Sequence, residues 1–238
     1  MSVLRAPSWT AFAICLTLLA GSVRGQETGP VVVELFTSQG CSACPPADES
    51  LAELAGHDDV LALSLHVDYW DYIGWEDSFA LPRLTERQRA YARGRESGVV
   101  YTPQFVVNGT TRMPGDKPMK LAMVIEEYAG MTHPAELRLD RDDQGRLEIR
   151  ANLASPLDRP ATVQLVRFTP RRTVRITDGE NAGRSIDYVN IVTQWRRIAT
   201  WEGAAPLTRT VEIAGDGEAA VIIQEAGQGA VLGAARLR

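Results

Sequence analysis

The sequence predicts an α/β domain followed by an all-β, sandwich-like domain, with a boundary near residue 132. Three observations support this order. A strand–helix–strand unit opens the first half, helical segments and a tight hairpin follow it, and beyond the boundary short alternating strands replace the helices. We therefore assign residues 26–131 to the first domain and residues 132–238 to the second, and a chain of 238 residues is long enough for both.

The composition restricts the class of protein. Hydrophobic residues make up 45% of the chain and charged residues 23%, values that are typical of globular proteins and exclude disordered and collagen-like chains. The net charge is -5, and no block of lysine and arginine occurs along the chain. Because nucleic-acid-binding proteins usually carry a basic patch, we expect no nucleic-acid partner.

Residues 1–25 have the pattern of a secretory signal peptide. A positive charge at Arg5 precedes the apolar segment 9–20, and small residues lead to a cleavage point near Gly25 or Gln26. The apolar segment is too short to span a bilayer core of about 30 Å. We therefore expect a periplasmic or secreted protein with no stable membrane insertion after cleavage. The alternative is an uncleaved membrane anchor.

Each element of the first half follows from a local signal. The β-branched run 31–36 predicts a buried strand, and Pro45 and Pro46 suit the first turn of a helix that Gly56 ends. The apolar run 60–67 predicts a second strand, parallel to the first because a helix connects them. The remaining predicted elements are an aromatic-rich insert, a helix at 84–95, a hairpin at Asn108-Gly109 and a helix at 117–128.

The second half alternates apolar and polar residues, with turn signals between the runs. Its first two strands, at residues 135–140 and 146–153, are joined by a turn that ends at Gly145. Many short strands with almost no helix favour a β-sandwich. Further strands are expected at 162–168, 173–176, 186–198, 208–213, 219–224 and 230–237.

Signal cleavage leaves two cysteines, Cys41 and Cys44, as a C-x-x-C pair between the first strand and the helix. A disulfide that closes so short a loop contributes only about 2 kcal/mol in the chain-entropy account, so redox chemistry explains the pair better. A nearby helix N-terminus lowers the pKa of a thiol. We expect Cys41 to be the exposed nucleophile and Cys44 to be the buried cysteine that resolves the mixed disulfide.

Two other interpretations of the cysteine pair remain open. The cysteines could bind or deliver a metal such as copper, with His66 as a further ligand, although a structural zinc site needs four ligands. Alternatively, the pair is vestigial and the chain is a binding scaffold. An insulin-reduction assay beside a metal titration would separate these functions.

Four segments resemble a family of secreted bacterial thioredoxin-like proteins of unknown function. They are FTSQGCSACPPAD at 36–48, HVDYWDYIGW at 66–75, TPQFVVNG at 102–109 and GENAGR at 179–184. The resemblance covers most of the chain that follows the signal peptide. It implies export and a thioredoxin-like fold for the first domain, and it names no substrate.

The wider thioredoxin-like resemblance implies roles for three further residues. Thr102-Pro103 resembles the cis-proline that faces the C-x-x-C pair, where the backbone of Thr102 would pair with substrate. Glu34 resembles the buried acid beneath the resolving cysteine and would act as a proton relay. Its spacing to Cys41 is one residue longer than the usual pattern, so a salt-bridged or edge-exposed glutamate is the alternative.

His66 and Asp68 end the second predicted strand, at the sheet edge where parallel α/β proteins place their sites. At positions i and i+2 we expect them to share one face, and there they would contact substrate, tune Cys41 or bind a metal with Asp71. The alternative for His66 is a hydrogen-bonded residue in the wall of the site.

Together these residues predict an exported thiol–disulfide oxidoreductase that acts on protein thiols or disulfides and uses no cofactor or metal. The residues between the cysteines, Ser42 and Ala43, carry no charge that would set the direction of electron flow. In the second half, Asn181 and Arg184 are expected to form a capped turn rather than a ligand site.

Overall fold

The computed structural model describes residues 29–93, 98–213 and 217–237. The predicted signal peptide lies outside these residues. None of the helices within them is long and apolar enough to cross a membrane.

The first half begins with the predicted strand–helix–strand unit. Its elements are β1 (Val31–Thr37), α1 (Pro45–Leu54), β2 (Val60–His66), a 3-10 turn (Asp71–Ile73), α2 (Pro82–Arg93), β3 (Gln104–Val107), β4 (Thr111–Pro114) and α3 (Pro118–Ala129). Strands β1 and β2 pair in parallel, with Thr37 beside His66 at their carboxyl ends. Strand β3 pairs with β1 in the antiparallel direction.

The turn at Asn108 and Gly109 forms the predicted hairpin between β3 and β4. Both residues have positive φ, 45° and 75°, and the Thr110 N–H donates to the Val107 carbonyl across the turn at 3.1 Å. Asparagine and glycine tolerate this left-handed region, and such turns match the twist of the flanking strands. The Asn108 side chain also accepts a hydrogen bond from the Val32 N–H at 2.8 Å, which ties the hairpin to β1.

Beyond residue 132 every described element is a strand. They are β5 (Ala135–Arg141), β6 (Leu147–Leu153), β7 (Ala161–Arg175), β8 (Ser185–Trp201), β9 (Leu207–Val211), β10 (Glu218–Glu225) and β11 (Val231–Arg236). The predicted runs 162–168 and 173–176 fall on one long strand, β7, which ends one residue before the second run does.

Both halves contribute to one eight-stranded sheet, in the order β11-β10-β7-β8-β2-β1-β3-β4. The halves meet where β8 lies parallel to β2, with Ser64 beside Ile191, and Asn190 donates its amide N–H to the Ala62 carbonyl at 2.8 Å. Without β8, strand β2 would be an unprotected edge. The boundary near residue 132 stays a prediction, but the sheet does not stop there.

A second sheet covers part of the first. Strands β5, β6 and β9 form three antiparallel strands, and their apolar residues join those of β7, β8, β10 and β11 in one hydrophobic cluster. Its buried members include Leu147, Ile149, Leu165, Trp201 and Val221. The strands of the second half therefore face one another across an apolar layer.

The alternation of β1 decides which side chains lie beneath the C-x-x-C pair. Val33 and Leu35 pack with α1 and α3 in one cluster, whereas Val32 and Phe36 pack with α2 and the second half in another. Successive side chains of a strand point to opposite faces. Glu34 therefore points to the α2 face of the sheet, away from α1.

Candidate functional site

The cysteine pair lies at the predicted junction between β1 and α1. Cys41 and Cys44 form a disulfide, with their Cα atoms 5.4 Å apart. The Cys44 N–H donates to the Cys41 carbonyl at 3.1 Å, and the Ala47 N–H donates to the Cys44 carbonyl at 2.9 Å. Cys44 is the N-cap of α1, and proline follows it in the first turn, where a missing N–H costs little.

Both cysteines are buried, which contradicts the expectation that Cys41 is exposed. The exposed fraction is 1% for Cys41 and 0% for Cys44, whereas Ser42 and Ala43 between them are exposed. The difference arises because other segments of the chain pack on the loop before the disulfide. Exposure therefore does not distinguish the two cysteines in this oxidised form.

The loop before the disulfide is held by hydrogen bonds from two directions. Gln39 donates its N–H to Asp77 Oδ2 at 2.8 Å, and Trp75 Nε1 donates to Gln39 Oε1 at 2.8 Å. From the second half, Asn181 Nδ2 donates to the carbonyls of Gln39 and Cys41, each at 2.9 Å. Asn181 is therefore part of the site, which the expectation of a simple capped turn did not include.

The Thr102-Pro103 peptide bond is cis, as the resemblance implied. The Pro103 ring lies next to α1, because a Cβ atom placed on Gly115 would be 2.6 Å from Pro103 Cβ and 2.8 Å from Ala47 Cβ. Trp70 Nε1 donates to Thr102 Oγ1 at 2.7 Å. The contact of Pro103 with Ala47 across Gly115 places the proline loop beside the first turn of α1, immediately after Cys44. Pairing of the Thr102 backbone with substrate stays a prediction.

Glu34 does not lie beneath Cys44, and the structure contradicts the proton-relay role predicted for it. It is fully buried on the α2 face, where Arg87 donates to its two carboxylate oxygens at 2.5 and 2.8 Å and the Tyr91 hydroxyl donates at 2.6 Å. A strand covered on both faces gives no signal in the sequence for which face a polar residue occupies. The salt-bridged alternative is the one found.

Arg87 carries this ion pair into the second half of the chain. Its guanidinium donates to the side-chain oxygens of Gln164, Gln224 and Gln228 and lies 3.8 Å from the ring centroid of Trp195. Burial alone would lower the pKa of Arg87, but the neighbouring Glu34 carboxylate raises it above its ordinary value. The guanidinium therefore stays charged and joins α2 to β7, β8 and β10.

His66 and Asp68 do not share a face, so the structure contradicts that expectation. His66 is fully buried, and its Nδ1 lies 2.7 Å from Asp77 Oδ2. Strand β2 ends at His66, and the chain then turns so that Asp68 accepts a hydrogen bond from Thr85 Oγ1 of α2 at 2.6 Å. The carboxylate paired with His66 is thus Asp77, which the sequence analysis did not single out.

Asp48 is, after Asp77, a second acid of the site that sequence reasoning missed. It is 4% exposed, and neither carboxylate oxygen has a hydrogen-bond partner. It lies four residues after Cys44, on the same face of α1. The spacing C-P-P-A-D was the available signal, because an acid one turn after the cysteine faces inward with it.

Other buried polar atoms lie on the face of the sheet that α1 covers, as the Asp48 carboxyl does. Strand alternation puts Thr37, Ser64 and His66 on the α1 face of the sheet, and Thr37 Oγ1, Ser64 Oγ and His66 Nε2 also lack partners among the described residues. The rings of Phe79 and Tyr188 enclose His66, with centroids 5.2 and 4.9 Å away. We call Asp48, Thr37, Ser64, His66 and Asp77 the buried polar cluster.

The two acids of the buried polar cluster have opposite pKa shifts. Burial raises the pKa of Asp48 to about 7, against the opposing effects of His66 and the Thr37 hydroxyl. Burial would also raise the pKa of Asp77, but His66 and the backbone N–H groups of Gln39 and Phe79 lower it below its ordinary value. Asp77 is therefore ionised, whereas Asp48 gains and loses a proton near neutral pH.

No group of three or more histidine, cysteine, aspartate or glutamate side chains within the described ranges has the arrangement of a metal site. Cys41 and Cys44 are bonded to each other, and the Nδ1 atom of His66 is engaged by Asp77. Asp71, which was expected to bind a metal with His66 and Asp68, accepts a hydrogen bond from the Asp77 N–H at 3.1 Å.

Comparison with known proteins gives a family without an activity. The family described as "Protein of unknown function (DUF1223)" matches residues 32–224. The crystal structure of protein AGR_C_4864 from Agrobacterium tumefaciens is 33% identical, with a TM-score of 0.75, and the match covers 90% of this chain and 96% of that chain. HBP35 of Porphyromonas gingivalis is similar in fold alone, with 14% identity and a TM-score of 0.60 over 88% of this chain and 75% of that chain. No curated protein matches the chain.

Proposed function

The chain belongs to the DUF1223 family, whose description names no function, and we propose that it is an exported thiol–disulfide oxidoreductase with a thioredoxin-like first domain. One observation carries the proposal: the Cys41–Cys44 disulfide begins a helix whose next turn holds the buried, unpartnered carboxyl of Asp48. The cis-proline loop beside α1 and the order of the first elements support the thioredoxin-like assignment.

Stability does not explain this combination of groups. A disulfide across a four-residue loop contributes about 2 kcal/mol at most in the chain-entropy account. A buried carboxyl whose oxygens accept no hydrogen bond opposes folding, because its neighbours replace only part of the hydration that its charged form loses. Strongly shifted carboxyls next to a reactive group are typical of functional sites. The arrangement therefore fits a group that exchanges protons during a reaction.

The proposed reaction is reversible thiol–disulfide exchange. A substrate thiolate attacks Cys41 Sγ, the bond to Cys44 Sγ breaks, and a mixed disulfide forms while Cys44 leaves as a thiolate. A second thiolate of the substrate then attacks the substrate sulfur of the mixed disulfide, the bond from that sulfur to Cys41 Sγ breaks, and Cys41 leaves as a thiolate. The substrate loses two electrons and two protons to become a disulfide, and the protein gains them to become a dithiol.

Asp48 would supply or accept the proton of Cys44. When Cys44 leaves as a thiolate, protonated Asp48 can give it a proton, and in the reverse direction the carboxylate can take the proton from the attacking Cys44 thiol. A pKa of about 7 suits both directions, since general acid–base catalysis works best near the operating pH. This is the role that the sequence had suggested for Glu34.

The substrates that fit this chemistry are protein thiols or disulfides in an oxidising compartment outside the cytoplasm. Export is inferred from the signal pattern of residues 1–25. The reduction potential of the Cys41–Cys44 pair would give the direction: about -270 mV is typical of a reductase and about -120 mV of an oxidant.

The direct test is mixed-disulfide trapping together with insulin reduction. We expect the protein to accelerate insulin reduction by dithiothreitol, and Cys41→Ser to abolish this activity. Cys44→Ser should accumulate covalent complexes with substrate, because Cys41 still attacks and nothing resolves the product.

The control for trapping is the Cys41→Ser/Cys44→Ser double variant of the chain without residues 1–25, which has no thiol and should trap nothing. Equal trapping by the two single variants would overturn the assignment of roles. A wild-type protein that neither reduces insulin nor oxidises a peptide dithiol would overturn the oxidoreductase proposal itself.

A further inference from the structure

The segment between β7 and β8, residues 177–184, lies against the loop that contains Gln39 and Cys41, which we call the disulfide loop. We call the segment the strap. Seven of its eight residues are exposed, and Asn181 is the buried one. The base of the strap is closed by the Ile176 N–H, which donates to the Arg184 carbonyl at 2.9 Å, and by the Gly183 N–H, which donates to the Ile176 carbonyl at 2.8 Å. Its contact with the site therefore depends largely on one side chain.

Asn181 makes that contact in a fixed orientation. Its Nδ2 donates to the Gln39 and Cys41 carbonyls at 2.9 Å each, while Arg184 donates to its Oδ1 at 3.2 Å. The arginine thereby directs the amide nitrogen toward the disulfide loop. Nearby, a Cβ atom on Gly179 would lie 3.1 Å from Trp75 Cβ, so the strap also rests on the insert that follows β2.

From this geometry we infer that the strap is a gate, held by Asn181, that must move before a substrate polypeptide reaches Cys41. The inference deepens the proposed function and rests on it. Cys41 is 1% exposed, and a thiolate must approach a disulfide sulfur directly to attack it. Because the strap has only one buried residue and bonds the loop at the Gln39 and Cys41 carbonyls, its release is a local opening that leaves the sheets intact.

The gate also gives the second half of the chain a role in selecting substrates. A small reductant needs only a narrow opening, whereas a protein dithiol must displace the strap completely. The two carbonyls that Asn181 occupies then become available to backbone N–H groups of the incoming polypeptide. A protein substrate can therefore compensate for the hydrogen bonds that opening breaks.

The experiment measures chemical reduction of the Cys41–Cys44 disulfide in the full chain. One probe is dithiothreitol, which loses two electrons and two protons and becomes a cyclic disulfide as the protein disulfide becomes two thiols. The other probe is a reduced thioredoxin, a protein dithiol that undergoes the same exchange. Rates are followed by alkylation of the free thiols and mass measurement.

We expect Asn181→Ala to increase the rate of reduction by dithiothreitol about tenfold, since two hydrogen bonds no longer hold the strap closed. The increase with the protein dithiol should be larger. Asn181→Ser keeps one donor and should fall between wild type and the alanine variant, and it serves if the alanine variant does not fold. The matched control is Glu180→Ala, an exposed neighbour in the strap that should change neither rate.

Rates for Asn181→Ala within twofold of wild type with both reductants would overturn the gate. The gate would also be overturned if the rate of reduction increased at low urea concentrations in parallel with the globally unfolded fraction. Such an increase would report a less stable fold rather than a local opening. If the strap variants accelerate reduction but the wild type has no activity on insulin or peptide dithiols, the gate stands and the oxidoreductase proposal fails.

Discussion

Asp48 is an ionisable side chain that is buried without a hydrogen-bond partner, an arrangement that destabilises its charged form. Its carboxyl is buried on the inner face of α1, and neither oxygen accepts a hydrogen bond. The groups that act on its charge come from several elements: Thr37 and His66 from the sheet, Asp77 from the loop after β2, and Glu49 from α1 itself. At the scale of single residues, this conflict is the clearest mark of function in the molecule.

The residue-scale prediction concerns the pH dependence of Asp48→Asn. The pKa of Asp48 is raised in the folded state from 3.8 to about 7, so the folded protein binds a proton that the unfolded chain releases. Wild-type stability should therefore fall as pH rises from about 4 to about 7. The asparagine variant lacks this loss and should be the more stable protein at pH 8, by up to about 4 kcal/mol. Urea unfolding between pH 4 and pH 8 measures the difference.

Glu53→Gln is the control for this prediction, because Glu53 is an exposed acid on α1 and is not among the groups that act on the charge of Asp48. Its stability should follow the wild-type pH profile. The exchange kinetics supply a second readout: Asp48→Asn should slow resolution by Cys44 above about pH 7, where wild-type Asp48 can accept a proton. An unfolding profile parallel to wild type across the whole range would show that Asp48 is not the titrating group.

At the scale of elements, the site depends on how closely α1 approaches the proline loop. Gly115 separates them, and its N–H donates to the Pro103 carbonyl at 2.9 Å. A side chain there has no space, since its Cβ would lie 2.6 Å from Pro103 Cβ and 2.8 Å from Ala47 Cβ. Neither neighbour is the end of a flexible chain, so helix or loop would have to move.

The element-scale prediction is that Gly115→Ala destabilises the protein by about 1–3 kcal/mol, the usual cost of overpacking. It should also lower the rate of insulin reduction, because the proline loop is displaced from the disulfide. Gly130→Ala is the matched control: Gly130 has φ of -76°, and a Cβ there would lie 3.6 Å from its nearest neighbour. Equal unfolding free energies for the two variants would contradict the close approach.

Local signals in the sequence predicted individual strands, helices and turns, but they did not predict how the two halves of the chain assemble. The parallel β1–β2 unit and the Asn108-Gly109 hairpin were predicted correctly because their determinants lie within a few residues of each other. The pairing of β2 with β8 joins Ser64 to Ile191, and no local pattern encodes a contact across that distance. The same non-local packing brings Asn181 to the Cys41 carbonyl, and Cys41 is only 1% exposed, so an exposed nucleophile was the natural but incorrect expectation.

At the scale of the whole molecule, the buried ion pair of Glu34 and Arg87 holds the two halves together. Glu34 comes from strand β1 and Arg87 from α2, and the guanidinium reaches Gln164 in β7 and Gln224 in β10. An acid in this position, if it were a neutral proton relay, could be replaced by glutamine at little cost to stability. An acid that compensates a buried guanidinium cannot, because the positive charge would be left without a partner.

The whole-molecule prediction follows from this difference. We expect Glu34→Gln to lower the free energy of unfolding by about 3–5 kcal/mol, with both halves unfolding in a single transition, while the rate of mixed-disulfide resolution in the folded protein stays at the wild-type value. Urea unfolding and stopped-flow exchange kinetics measure the two quantities, and Glu86→Gln, an exposed acid next to Arg87 on α2, is the control. If Glu34→Gln were as stable as wild type but slow in resolution, Glu34 would be the proton relay after all, and Asp48 would lose that role.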